Sequence, residues 1–244
     1  MINIICVLPP SVHLLDMAGP VHIFYEANQY GGEYNLIYTS IETDTDDIRT
    51  SSGLSLHRLQ SFTTLPPAAN NTILLPGADF PILQNYAYGR ARSFYQWLTQ
   101  QYASGARICS VCTGAWLLGE AGLLNGRSYT THWNYTSVFR ERFPKATLVN
   151  DRFFVSDQRI ISSAGVSSGI DLALHLVEID TSTHIATQVA REAVIYRRRG
   201  PADPQLSVFL AYRNHIDDRI HSAQNFIIEN MQRQLRSEEI AQHV

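Results

Sequence analysis

The sequence predicts an α/β protein, a three-layer sandwich of a mostly parallel sheet with helices on both faces, followed by a short C-terminal helical extension. Three observations predict it. Short apolar, β-rich runs alternate with longer segments whose apolar residues recur at helical spacing. The first run, Ile2–Leu8 (INIICVL), is apolar without a break, as in a strand buried on both faces. The run Arg107–Val111 (RICSV) gives way to a helical pattern at a single cysteine, Cys112, with no loop between.

The elements follow in order. Beyond a Pro-rich turn, residues 19–29 read as a helix with Pro20 in its first turn, where a missing N–H costs least. Tyr34–Ser40 is the second strand, and residues 48–59 form a small hairpin turning around residues 51–53. Residues 71–78 are a strand that stops on Pro76 and Gly77. Residues 91–104 have helical spacing, and another helix starts at Thr113. Residues 132–143 are a further helix, ended by Pro144. Two β-like runs lie within residues 152–165, joined by a polar turn at 156–158, and two helices follow within 166–196. At residues 197–205 (RRRGPADPQ) the apolar period disappears. The expected organisation is therefore a domain over 1–198, a linker over 199–217 and the start of a helical module over 218–244. In the last part an amphipathic helix spans about residues 219–231, and another starts with Ser237 as N-cap, followed by Glu238 and Glu239.

Composition narrows the class but not the chemistry. With 45% hydrophobic and 17% charged residues the chain is ordinary globular protein. A net charge of −3 leaves no electrostatic footprint for nucleic acid. No apolar run approaches the roughly 20 residues of a membrane helix, and the N-terminus lacks a basic leader with a small-residue cleavage site. Three cysteines without regular spacing argue against a disulfide framework and for a reducing cytoplasm. No metal-ligand spacing and no cofactor motif is visible, so neither a metal nor a cofactor is expected.

Cys112 carries the chemistry. A strand that feeds a helix through one residue needs small residues two before and two after, and these are Ser110 and Gly114. This is nucleophile-elbow spacing with sulfur in place of oxygen. It places the thiol over the carboxyl ends of the strands, where open α/β sheets bind ligands. The positive end of the next helix would favour a thiolate, and the Thr113 N–H would face a developing oxyanion. Gly77 and Ala78, at the end of the preceding strand, offer a second N–H donor. The alternatives are a buried structural cysteine and a C-x-x-C redox pair with Cys109. The pair fits poorly, because Cys109 lies inside the strand rather than at a helix start. His132, opening a later helix, is a candidate base or merely a helix-start residue. Asp16, following the first strand, is a candidate acid/base or a helix cap. His13, His22 and Glu26 read as surface or packing, Cys6 as core, and Asp171 as a structural acid.

The segments VCTGAWLLGEAGLLNGRSYTTHW, LDMAGPVHIF, LLPGAD and SSAGVSSGIDLALHLVE together resemble the ThiJ/PfpI superfamily, over about residues 1–198. The resemblance implies a flavodoxin-like, class I glutamine amidotransferase-like fold. It points to two branches. In isonitrile hydratases and related enzymes the matching positions, Asp16, Cys112 and Thr113, act in catalysis. In AraC-type transcriptional regulators the same fold is an N-terminal sensing domain, dimeric and ahead of a DNA-binding helix-turn-helix module. Residues 191–209 and 215–244 resemble the linker and opening helices of that module. The resemblance therefore implies a small-molecule effector, a homodimer, no membrane, and DNA contact only through helices that would follow Val244. The segment from Arg213 to Val244 holds four arginines against five acidic residues, so it is not itself a phosphate-binding surface. A thiol-dependent enzyme and a redox sensor at Cys112 are the competing readings. The regulator reading expects the reading frame to continue beyond Val244 into a basic helix-turn-helix, which sequencing downstream of the locus checks; a stop codon at that point contradicts it.

Overall fold

The computed structural model describes residues 1–43, 47–86, 89, 91–207, 213 and 216–244, in two compact units, Met1–Gln205 and Leu206–Val244. Residues 208–212, 214 and 215 of the expected linker lie outside the described residues.

The first unit is built on a seven-stranded sheet of order β10-β11-β7-β6-β1-β2-β5. Its strands are β1 (Ile2–Leu8), β2 (Tyr34–Ser40), β5 (Gln60–Ser61), β6 (Asn71–Leu75), β7 (Arg107–Val111), β10 (Phe154–Asp157) and β11 (Ile160–Ser163). Every pairing is parallel except the β10–β11 hairpin, which turns through Gln158 at φ +56°. Two small ribbons lie apart, β3 (Asp47–Arg49) with β4 (Ser55–His57), and β8 (Ser128–Tyr129) with β9 (Thr147–Leu148). The first is the expected hairpin, its turn closed by Thr50 Oγ1 accepting the Leu54 N–H at 3.0 Å; the second leaves too short a pattern to read from sequence.

The period of two along β1 sorts its side chains to two faces. Ile5 and Val7 join a core with α3 (Arg92–Ala103), α4 (Ala115–Glu120) and α5 (Thr136–Arg142). Ile4, Cys6 and Leu8 join the opposite core, with α1 (Leu14–Gln29), α6 (Ser168–Asp180) and α7 (Thr183–Glu192). The expected layers and the continuous burial of β1 follow directly from this arrangement. A one-turn helix, α2 (Phe80–Gln84), follows β6.

One boundary differs in a way that matters. The first helix begins at Leu14, so Pro20 lies inside it and Asp16 sits in its first turn. The chain after β1 is pinned early, by a Val12–Ala78 bridge and by the His13 N–H on the Gly77 carbonyl at 2.8 Å. Pro20 forgoes only the bond to the Asp16 carbonyl, and the helix runs through it because Met17, Val21 and Phe24 are buried.

The end of the first unit is held down rather than loose. Arg199 donates to Asp171 from its backbone N–H and its Nε, both at 2.9 Å, and stacks over Phe153. The Gln205 side-chain amide donates to Thr130 Oγ1, the Thr131 carbonyl and the Arg152 carbonyl at 3.0–3.2 Å. The second unit contains α8 (Asp218–Glu229) and α9 (Ser237–Gln242), joined by Phe226 stacked on His243 and by an Arg233–Glu239 pair. Ser237 is the first residue of its helix rather than the cap; Arg236 caps it, its N–H taken by Glu239 at 2.9 Å.

Among the described residues no helix is long and apolar enough to cross a membrane. Among the glycines the closest approach is at Gly114, where an added Cβ would overlap the Leu75 carbonyl oxygen. Gly114→Ala is expected to destabilise the chain by about 1–3 kcal/mol, because the obstacle is backbone of the central sheet; a urea unfolding midpoint unchanged from the parent would show that the corner relaxes freely.

Candidate functional site

Four adjacent strands, β11, β7, β6 and β1, deliver one segment each to the carboxyl edge of the sheet. β7 ends in extended backbone at Val111, and Cys112 turns the chain at φ +58° into a 3-10 turn, Cys112–Gly114, that leads into α4. A non-glycine residue in that region is strained, and such strain persists only where surroundings enforce it. The predicted elbow is therefore present in backbone geometry, with Ser110 and Gly114 buried at the expected positions.

The sulfur is less open than the sequence suggests. Cys112 is only 3% exposed. Gly165, in the loop after β11 at φ +116°, covers it; a Cβ there would lie 2.5 Å from the Cys112 Cβ and 2.7 Å from Sγ. Gly77, after β6, approaches from another side, where a Cβ would sit 2.5 Å from Asp16 Oδ2, 2.8 Å from Thr113 Oγ1 and 2.9 Å from the Cys112 Cβ. Both glycines leave the space that sulfur, carboxylate and hydroxyl share.

Asp16 is fully buried against this corner. Its Oδ1 accepts the Val166 N–H at 2.7 Å, which ties α1 to the loop that carries Gly165. Its Oδ2 has no hydrogen-bond partner and lies 3.8 Å from His13 Nδ1. His13, an Asp16 carboxylate oxygen and the Cys112 sulfur all lie within 4.8 Å of one another. Val166 itself is at φ +48°, a second strained position against the same carboxylate.

Thr113 holds the other side. Its hydroxyl donates to the Ala78 carbonyl and accepts the Ala78 N–H, both at 3.1 Å. The Ala78 N–H is thus already engaged, which leaves Gly77 as the N–H of that pair to consider for a ligand. The Thr113 backbone N–H favours the charged form of the Cys112 sulfur. Behind the corner, Thr131 Oγ1 donates to the Cys112 carbonyl at 3.0 Å.

His132 does not join this set by a bond. It caps the 3-10 turn Trp133–Tyr135, with Nδ1 accepting the Asn134 N–H at 3.3 Å, and among the described residues no hydrogen bond links it to Cys112. Partial burial holds its pKa below the usual histidine range, with Asp16 pulling the other way. His13, read from sequence as surface or packing, is instead the imidazole beside the carboxylate. The Asp16 carboxylate beside it raises its pKa against the opposing effect of burial, and Asp79 adds to that rise. The i, i+3 spacing of His13 and Asp16 was the available signal, and it is legible only once the helix is known to start at Leu14. Gly165, Val166 and Asp79 were also missed; the first two depend on a loop that crosses between strands, and Asp79 on where His13 falls at the start of α1.

The electrostatics oppose the expected thiolate. Burial, then the Asp16 carboxylate, push the Cys112 thiol well above its ordinary value, and the Thr113 N–H only partly offsets them. A helix of six residues is a weak counter-charge against burial in the sheet edge. Cys109 is fully buried inside β7, where burial pushes it up to about 12, and Cys6 is buried in β1.

The sequence profile of the DJ-1/PfpI family matches residues 3–179, and the chain belongs to that family. It is 28% identical over 198 residues to the HTH-type transcriptional regulator CdhR of Pseudomonas aeruginosa, covering 81% of this chain and 56% of that protein. It is 30% identical over 186 residues to the isonitrile hydratase of Pseudomonas putida, covering 74% of each. Among solved structures, an AraC family transcriptional regulator from Pseudomonas putida superposes with a TM-score of 0.66 at 20% identity, over 79% of this chain and all of that one, a likeness of fold. The chain spans about half the length of the regulators it matches.

Removing the carboxylate removes one of the two influences that raise the thiol. Asp16→Asn is therefore expected to lower the Cys112 pKa and to speed its alkylation by iodoacetamide near pH 8 several-fold, by about tenfold for each unit of pKa. In the unaltered chain Cys112 is expected to label before Cys6 and Cys109 because it alone of the three keeps some exposure. Peptide mass spectrometry reads both, and an Asp16→Asn rate equal to the parent's would remove the carboxylate from control of the sulfur.

Proposed function

We propose that this member of the DJ-1/PfpI family is the ligand-sensing and dimerising domain of a cytoplasmic AraC-type transcriptional regulator, contacting DNA through a helix-turn-helix module that its C-terminal helices begin. The observation that carries this reading is the second unit, Leu206–Val244, whose helices follow the family domain. The similarity to regulators such as CdhR, which extends over most of this chain, supports it. In this reading the Cys112 site takes a small metabolite. Its donors and acceptors are Asp16 Oδ2, the Gly77 and Thr113 N–H groups, and His13. Occupancy biases the ensemble between arrangements, and in this reading the chain leaving the domain carries that bias. Arg199 grips the loop that covers the sulfur, through Asp171 and the Ser167 carbonyl. Gln205 grips Thr131, whose hydroxyl holds the Cys112 carbonyl.

A second reading is favoured by the retained elbow. Cys112, Asp16 and Thr113 are together the residues that a thiol-dependent hydratase or C–N hydrolase would use, and an isonitrile hydratase is among the relatives. Cys112 would add to the carbon of the C–N group, Asp16 would deliver and recover the proton, and water would release the product. The raised thiol pKa weakens this route, since the resting site keeps its proton on sulfur.

Thermal unfolding with a panel of small amino, amide, nitrile and isonitrile compounds separates the two. The sensing reading expects a ligand that raises Tm by about 5–10 °C at a concentration about 100 times its Kd, is recovered unchanged by NMR, and loses most of its effect in Asp16→Asn. Catalytic conversion of an isonitrile to its formamide, many equivalents per chain and abolished in Cys112→Ala, overturns sensing in favour of catalysis.

A further inference from the structure

Beyond either reading, one arrangement at the elbow has the form of a metal site. Three chemically different donors converge there from two places in the chain: the His13 imidazole and the Asp16 carboxylate at the start of α1, and the Cys112 thiol after β7. All three donor atoms lie within 4.8 Å of one another. Proximity alone decides little, but two independent features point to a ligand.

The first is the carboxylate. Asp16 is fully buried, one oxygen is satisfied by the Val166 N–H, and the other, Oδ2, is an orphan acceptor. A buried carboxylate oxygen without a partner is costly, and a cation relieves that cost more fully than the weak S–H donor of the neighbouring thiol. The second is the histidine. Nδ1 is the ring nitrogen that faces Asp16 Oδ2, at 3.8 Å, while Nε2 lies 3.3 Å from Asp79 Oδ1 on the outer side. A metal-ligating histidine characteristically gives its other ring N–H to a carboxylate, which fixes the ring and the tautomer. Asp79 stands where that outer partner belongs.

The donor set selects the metal. Calcium and magnesium take oxygen donors, whereas a thiolate, an imidazole and a carboxylate together suit zinc-like ions. Three protein ligands leave one coordination position open. Charge agrees: a thiolate and a carboxylate buried together repel each other, and a dication balances both.

We propose that His13, Asp16 and Cys112 bind one zinc-like divalent ion, with Asp79 orienting His13 from outside. Binding would release the Cys112 proton to solvent and form a metal–thiolate bond, with no change of oxidation state. The ion and a small metabolite would compete for the same thiol, so the regulator reading can fail without affecting this one.

The test uses the full chain, reduced and stripped with chelator, titrated with Cd²⁺ as a zinc surrogate and followed by the ultraviolet thiolate-to-cadmium charge-transfer band. One equivalent is expected to bind, with the band absent in Cys112→Ser and unchanged in Cys6→Ser and Cys109→Ser. Asp16→Asn and His13→Gln are expected to weaken binding by about tenfold or more, and Asp79→Asn by about tenfold. Competition with Zn²⁺ should bleach the band and slow Cys112 alkylation in parallel. Asp79 is half-exposed, so its variant tests the arrangement even if a buried substitution fails to fold. A band that survives Cys112→Ser, or that forms equally well in the Asp16, His13 and Asp79 variants, means only adventitious thiol capture and overturns the site.

Discussion

The constraint on which the site depends is the conversion of β7 into the following turn through one residue. Cys112 must take a left-handed backbone conformation, at φ +58°, and nothing in its own chemistry favours that. The surroundings enforce it. Gly114 lets the turn pass beneath the Leu75 carbonyl, Thr131 holds the Cys112 carbonyl, and Thr113 is locked to both polar groups of Ala78. The neighbouring strands then have to supply glycines, Gly77 from one side and Gly165 from the other, because any side chain there would occupy the volume of the sulfur or the carboxylate. One strained residue thus dictates residue type on both flanking strands.

The same crowding sets the electrostatics. Asp16 and Cys112 share a water-poor corner in which Asp16 has one firm donor, the Val166 N–H. Two anions side by side there are unfavourable, so the thiol keeps its proton and its pKa is raised. A site in that state is a poor nucleophile at rest and a receptive one for an occupant that brings positive charge or N–H donors to the free carboxylate oxygen. A sensing pocket and a metal centre both use this property directly. An enzyme has to overcome it by moving the sulfur proton as substrate binds.

Much of this was legible beforehand, for identifiable reasons. The elbow could be read because its requirement is local: small residues at 110 and 114 around a strand-to-helix junction. Asp16, Gly77 and Thr113 could be placed because each follows a strand end in a parallel sheet, and such ends share one edge. His13 and Asp79 were hidden by a helix boundary. Pro20 suggests a helix start and instead lies inside α1, tolerated because that helix is anchored by burial and by the Val12–Ala78 bridge. Gly165 and Val166 were hidden by topology, since sequence alone does not say which loop folds over which thiol. The thiol's charge state was misjudged for a quantitative reason: a helix-terminus effect of about 0.3–1 kcal/mol is small against burial beside a carboxylate.

The segment leaving the domain gives the sensing reading its physical path. The loop that covers Cys112 is fastened by Val166 to Asp16 and by the Ser167 carbonyl to Arg199, which also holds Asp171 in the first turn of α6. Asp171 is buried, so losing Arg199 would leave a carboxylate uncompensated, a strong penalty that keeps the two together. On the opposite side, Gln205 spans three acceptors on residues 130, 131 and 152, one of them the carbonyl of the residue that holds the elbow. An occupant that displaces the Gly165 loop or shifts the Cys112 carbonyl must therefore strain or release contacts made by residues 199 and 205. Those residues are the last part of the first unit before Leu206 begins the second. Packed interiors rearrange between discrete states rather than deforming smoothly, and in the sensing reading a seated and a released strap would be those states.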